Sequence, residues 1–178
     1  MNSIFKGMIF VFLSFTFNFG NSKFDILPDF VGFFMIVKGL EELYNQSDNF
    51  IKIKPFAFGL GIYTLITFML DLLGITSQLG YLTFIIGIVY TVLLIYVTYT
   101  IILGIIDIEK NLNKSLNTDK LMSNWKLMII FNVLTFITLF VPAIAFICLI
   151  INIVFIILYL ISFNATKNLY YENNIYID

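Results

Sequence analysis

The sequence contains no histidine and one cysteine, Cys148, and these shortages remove whole classes of chemistry at the outset. Zinc sites of the Cys/His type need several such ligands on one chain. An internal disulfide needs two sulfurs, so Cys148, set in an apolar run, says nothing about redox compartment. Arginine is absent as well, and all ten basic residues are lysine. With Ile, Asn, Lys and Phe abundant, that absence reflects the codon supply of a low-GC genome. Charge of any kind is scarce: 12% of residues are charged and the net charge is −1. A nucleic-acid partner would want a basic face, which this chain does not have.

What fills the space is apolar. Hydrophobic residues make up 60% of the 178, and the mean hydropathy is +0.98. An average soluble domain has about 25% charged and about 45–50% apolar residues. A water-soluble fold of this size has too much surface for its volume to hide so much apolar material. The expected solvent is therefore lipid. The length suits one domain, and no linker-like stretch divides it.

A spanning helix needs about 20 mostly apolar residues, each rising 1.5 Å. The spacing predicts spans over 3–20, 26–44, 55–73, 79–106, 125–141 and 143–163, followed by a polar cytoplasmic tail over 164–178. The fold class expected is all-α, a six-helix transmembrane bundle with both termini in the cytoplasm. Lys6 near the start of the first span can snorkel to the interface. No A-x-A-like cleavage site follows this span, only Asn18-Phe19-Gly20-Asn21-Ser22, so it reads as retained and not as a signal peptide. Pro28, Pro55 and Pro142 each fall at the predicted start of a helix, where the ring costs no intrahelical hydrogen bond. Ser123 and Asn124 offer caps for the fifth span, with Trp125 at interface depth.

Lysines in short loops set the orientation. With the N-terminus inside, Lys6, Lys52, Lys54, Lys110, Lys114, Lys120, Lys126 and Lys167 all lie on the cytoplasmic side, Lys38 in the inner half of the second span can snorkel inward, and only Lys23 lies outside. The other outer connections, Gly74 to Gln78 and the turn at Pro142, carry no lysine. A re-entrant second span would put Lys110 to Lys126 outside, so the second span is expected to cross.

Polar groups inside a bilayer are costly, and each calls for an account. Asp25, Asp29 and Asp71 gather at the outer face and form a candidate outward-facing site for a cation or an amine. Their structural reading is that Asp25 caps the second span, Asp29 meets the helix dipole, and Asp71 is wetted at the interface. Asn132 and Asn152 stand ten residues either side of Pro142. In an antiparallel hairpin they share a depth of about 13 Å from the turn, where their amides can hydrogen-bond each other. Small and polar residues recur along the fourth span (Gly80, Thr83, Gly87, Thr91, Thr98) and the third (Ala57, Gly61, Thr64). Such stripes let helices approach. A polar path between these two spans, lined by Tyr63, Tyr90 and Tyr96, is the sharper version. Thr91 and Tyr90 join Asn132 and Asn152 as candidate intramembrane polar contacts. Glu41-Glu42 invites comparison with intramembrane proteases that use paired glutamates, but those complete their sites with histidines. No catalytic set is visible, and no cofactor is implied.

The stretch Phe24-Asp25-Ile26-Leu27-Pro28-Asp29-Phe30-Val31-Gly32-Phe33-Phe34, followed by Lys38-Gly39-Leu40-Glu41-Glu42-Leu43, resembles a segment of uncharacterised small multi-pass membrane proteins of low-GC Gram-positive bacteria. The likeness covers roughly residues 15 to 60. It implies a bacterial plasma-membrane location and carries no activity with it. Six spans in under 200 residues is also similar in architecture to the substrate-binding subunits of energy-coupling-factor vitamin transporters. Those show closely spaced alanines in the first helix; here Gly7, Val11 and Ser14 stand instead.

The expected role is a non-catalytic membrane component: a partner subunit, or a protective or regulatory protein acting by helix contact. The alternative is small-solute binding or transport. The partners expected are the lipid bilayer and either another membrane protein or a small solute.

Overall fold

The computed structural model describes residues 1–13, 16–19, 22–76, 81–138 and 141–175. Among them are six α-helices and one short β-hairpin. In chain order these are α1 (Asn2–Phe12), β1 (Thr16–Phe19), β2 (Ser22–Asp25), α2 (Asp29–Glu42), α3 (Asp48–Leu72), α4 (Tyr81–Leu112), α5 (Thr118–Ile137) and α6 (Pro142–Ile175). The chain divides into two compact units, Met1–Gly104 and Ile105–Asp178.

In the first unit, α1 and α2 pack tightly and α2 packs on α3. Glycines set the closeness. A Cβ built on Gly39 would lie 2.7 Å from the backbone nitrogen of Ile4, and one on Gly61 would press at 3.3 Å on Phe33 and Phe34. Ile4, Met8, Phe33, Ile36, Leu40, Phe50 and Ile53 are fully buried there. Ser3 at the start of α1 donates to Glu42 at the end of α2, 2.7 Å away, so the two helices run antiparallel. Gly104, late in α4, has no room for a side chain, because a Cβ would strike the ring of Phe50.

The expected first span, 3–20, is not one helix. α1 stops at Phe12 and the chain turns into β1, which pairs antiparallel with β2 in the register Thr16↔Asp25 to Phe19↔Ser22. Thr16-Phe17-Asn18-Phe19 alternates polar and aromatic residues, a pattern with the two-residue period of a strand. The residues between the strands, Gly20 and Asn21, lie outside the described residues, as do Ser14, 77–80 (hence Gln78 and Gly80) and 139–140. β2 packs along α3.

α3 also departs from expectation. Ser47 caps its start by accepting from the Asn49 backbone N–H at 3.2 Å, so Pro55 lies within the helix and not at its first position. The cap and Asp48 in the first turn draw the helix seven residues further back than apolar length alone suggests.

In the second unit, α5 and α6 form an antiparallel pair. α5 begins at Thr118, after Asn117 in the left-handed region (φ 59°), so Ser123 and Asn124 are interior residues and not caps. The turn before it is held by Glu109, which accepts from the Leu116 backbone N–H at 2.7 Å and from the Thr118 hydroxyl. α6 starts at Pro142, as its fixed φ favours. It continues to Ile175, so most of the segment expected as a loose polar tail is helical.

The protein is thus α-helical, and three helices are long and apolar enough to cross a membrane: Asp48–Leu72, Tyr81–Leu112 and Pro142–Asn173. Their outer faces are apolar too. Ile66 and Met69 on α3, Phe84 and Val92 on α4, and Phe146 and Ile161 on α6 are more than half exposed. Continuous apolar exteriors of this kind suit hydrocarbon and would aggregate in water. Hydroxyls on these helices bond back to carbonyls one turn earlier, as Thr64 does to Leu60, Thr100 to Tyr96 and Ser162 to Leu158, which removes the cost of placing them in lipid.

Candidate functional site

The site begins where β2 gives way to α2. Asp25 accepts from the backbone N–H of Leu27 at 3.2 Å, an Asx-type turn that bends the chain toward the helix. It therefore shapes the approach to α2 and does not cap it. The N-cap is Pro28, extended at φ −62° and ψ 128°, with no side-chain cap bond. Asp29 opens the helix, and one turn on, on the same face, stands Phe33.

Both residues meet α4. The Tyr90 hydroxyl donates to Asp29 Oδ2 at 3.1 Å, and the Tyr90 ring sits edge-on to Phe33 at 6.2 Å. From α3, the ring of Tyr63 lies 5.7 Å from that of Tyr90, tilted by 38°. Three helices therefore converge on one tyrosine. The second carboxylate oxygen, Asp29 Oδ1, is buried with no hydrogen-bond partner. Among the described residues Asp29 makes no ion pair.

Beside this group lies a cavity of about 300 Å³ between α3 and α4. Phe56, Gly59, Leu60 and Tyr63 line it from α3, and Val89 and Tyr90 from α4. Pro55, inside α3, is also on its wall. Gly59 has nothing within 4 Å of where a Cβ would stand, so the missing side chain leaves the space open. The volume falls at the small end of the range for ligand pockets, and an apolar lining with a few convergent polar groups is their usual composition. Tyr96, expected on this path, packs instead against Phe56 at 5.3 Å and does not line the cavity.

The other candidate residues are dispersed. Asp71 accepts from the Thr76 hydroxyl and its carbonyl accepts from Gly74, so it serves the end of α3. Asp25, Asp29 and Asp71 do not, among the described residues, form a group able to hold a metal ion. Thr91 donates to the Gly87 carbonyl of its own helix at 2.9 Å. Gly87 has nothing within 4 Å of a Cβ, so this part of the α4 stripe packs on nothing in the first unit. In contrast, Ala57, Gly61 and Thr64 on α3 are buried.

Asn132 and Asn152 do not bond each other: both amide oxygens are buried and without partners. The polar link between α5 and α6 is made by Asn124, whose Nδ2 donates to Ser162 Oγ at 2.5 Å and to the Leu158 carbonyl at 3.3 Å. Phe131 stacks on Phe155 at 5.1 Å on the same side of the pair. Asn132 lies eight residues beyond Asn124, about 80° around the helix, so the two asparagines do not share one line along α5. Residues 158 and 162 straddle the position opposite Asn124 in a hairpin centred on Pro142, and that symmetry is the signal that could have found the link.

No protein-family model matches the chain, and neither a curated protein nor a solved structure shows significant similarity to it.

Proposed function

We propose that this is a multi-pass protein of the bacterial plasma membrane that binds, and passes or presents, a small and largely apolar solute held between α3 and α4. The observation that supports this reading best is the apolar cavity of about 300 Å³ whose lining includes Tyr90, a residue fixed by its hydroxyl to Asp29. A buried carboxylate in a membrane-spanning region is expensive, and such residues mark solute paths. The reading is of a binding or transport protein and not of an enzyme. It takes up the solute alternative of the sequence and narrows the candidate site from three aspartates to one.

The proposed topology has both ends in the cytoplasm and six passes. α1 is 11 residues and α2 is 14, so they rise only about 16 Å and about 21 Å. Adding four strand residues at about 3.3 Å each brings α1 with β1, and β2 with α2, to about 30 Å or slightly more, one hydrocarbon thickness. The first two passes are then composites of helix and strand. Non-helical backbone at that depth is tolerated where protein covers it, and β2 packs along α3.

The test is the melting of the purified full chain in detergent against a broad panel of small solutes, repeated with Gly59→Leu. A solute that raises the melting temperature of the parent but not of Gly59→Leu supports the reading. Stabilisation that persists in Gly59→Leu, or none from any solute, overturns it. Asp71→Asn is expected to leave the response unchanged. A second reading, a partner subunit acting by helix contact, is favoured by the open space over Gly87 on α4. Stoichiometric co-purification of a second membrane protein, lost on Gly87→Leu, would select it.

A further inference from the structure

The cavity between α3 and α4 is walled almost wholly by apolar atoms, and hydrocarbon is what such a wall holds. We infer that its occupant is a single-chain anionic lipid of the fatty-acid class, with its alkyl chain in the cavity and its head group at Lys52. This deepens the binding reading above and rests on it.

Size and position fit one chain. A methylene group is about as large as a water molecule, whose share of liquid volume is about 30 Å³. A cavity of about 300 Å³ therefore takes about ten of them, and a second chain would need as much room again. The wall runs from Pro55 to Tyr63 on α3, a rise of about 12 Å. That is close to the depth of one leaflet in a hydrocarbon core of about 30 Å. Phe56 and Gly59 on α3 and Ile86 and Val89 on α4 are exposed as well as lining the space, so the cavity opens along its flank. A chain can enter it sideways from the bilayer.

Charge at one end supplies a place for the head group. Lys52 precedes Phe56 by one turn and Gly59 by two, so it stands on the same face of α3, just beyond the Pro55 end of the cavity. It is exposed and makes no ion pair among the described residues, not even with Asp48 one turn earlier. Lys54, in contrast, is answered by Glu41 at 2.8 Å. At this same end Tyr96 of α4 packs on Phe56 at 5.3 Å. Tyrosine suits the depth at which hydrocarbon gives way to head groups. An amphiphile seated in the cavity thus brings its head level with a positive charge that nothing else balances. A cationic head is repelled there, and a neutral one gains nothing from it.

The experiment compares decanoate with 1-decanol and decyltrimethylammonium, three ten-carbon chains that differ in the charge of the head. Equilibrium dialysis of the full chain in uncharged detergent micelles is run at neutral pH against protein-free micelles, with parent, Lys52→Gln, Lys120→Gln and Gly59→Leu proteins. Decanoate is expected to bind the parent saturably, one per chain, and about fivefold tighter than the alcohol, the usual attraction of one lysine for an anionic lipid head. Lys52→Gln is expected to remove that advantage and to change the alcohol by less than twofold, whereas Lys120→Gln changes neither. Gly59→Leu, which fills the cavity, is expected to abolish both. Decyltrimethylammonium or decanol binding as tightly as decanoate, or a Lys52→Gln variant with undiminished decanoate affinity, would overturn the anionic assignment while leaving an apolar solute site standing. A diacyl phospholipid retained at one per chain and lost in Gly59→Leu would give the cavity to the bilayer's own lipid and overturn the single-chain assignment. Binding of the probes that survives Gly59→Leu, or no saturable binding by any of them, would sink the cavity itself.

Discussion

Gly7 on α1 and Gly32 on α2 face each other backbone to backbone: a Cβ on Gly7 would collide with the Gly32 carbonyl oxygen, and one on Gly32 would come within 2.7 Å of the Gly7 carbonyl. The contact is reciprocal, so neither helix can yield by moving a side chain. Small residues at a crossing of this kind are what lets membrane helices bring their backbones together.

Gly7→Val is therefore expected to destabilise the first unit by about 1–3 kcal/mol, the usual cost of overpacking. Gly87→Ala is the control. It meets nothing within 4 Å and trades a glycine for a better helix former, so it is expected to be neutral or to stabilise by up to about 1 kcal/mol. Denaturant titration in mixed micelles reads both.

The asparagines of α5 and α6 should separate by partner. Asn124→Leu removes the bonds to Ser162 and Leu158 and is expected to cost about 0.6 kcal/mol, with an upper bound near 1.7. Asn152→Leu replaces a buried amide whose oxygen has no partner, and is expected to be neutral or stabilising. Thermal melts of the two variants, followed by helical circular dichroism, give the comparison. The reverse order would refute this account of the α5–α6 pairing.

Glu109 holds the turn into α5 through two hydrogen bonds. In Glu109→Ala the backbone N–H of buried Leu116 and the hydroxyl of buried Thr118 lose their acceptor, at a cost of about 1–3 kcal/mol. Limited proteolysis near residues 113–117 is expected to accelerate in this variant. Glu109→Gln, which keeps one carbonyl acceptor, should fall between it and the parent.

Topology is open to direct labelling. In a Cys148→Ser background, a cysteine at position 114 is expected to resist a membrane-impermeant thiol reagent in intact cells, whereas Ile75→Cys, exposed just past the end of α3, should react. Reaction at position 114 would invert the chain and every depth argument with it.

Much of the helical framework was legible in hydropathy, because the runs behind α3, α4 and α6 are long enough to admit few alternatives. The ends were less so. Local polar chemistry sets them: Ser47 starts α3 ahead of Pro55, and Glu109 closes the turn from which α5 sets out ahead of Asn124. Hydropathy is blind to such bonds. The hairpin carried its own signal, the alternation of Thr16-Phe17-Asn18-Phe19 and the Gly-Asn pair after it, which two-residue hairpins favour. The apolar run leading into it masked that signal. Pairing was hardest. Asn132 and Asn152 satisfy the depth argument, yet neither amide oxygen has a partner. Asp29 and Tyr90, 61 positions apart, meet only because α2 and α4 both pack in the first unit. Charge and depth could mark each of them as unusual, but not as each other's partner.

The lengths of α1 and α3 also bear on the lipid around them. α3, with 25 residues, rises about 37 Å, whereas α1 rises about 16 Å, and both belong to one tightly packed unit. Under the proposed topology the strand pair supplies the height that α1 lacks, whereas α3 exceeds a hydrocarbon layer of about 30 Å and answers the excess by tilting. Each ångström left unmatched costs a fraction of a kcal/mol. The hairpin is then the spacer that lets a short helix and a long one share one layer of lipid.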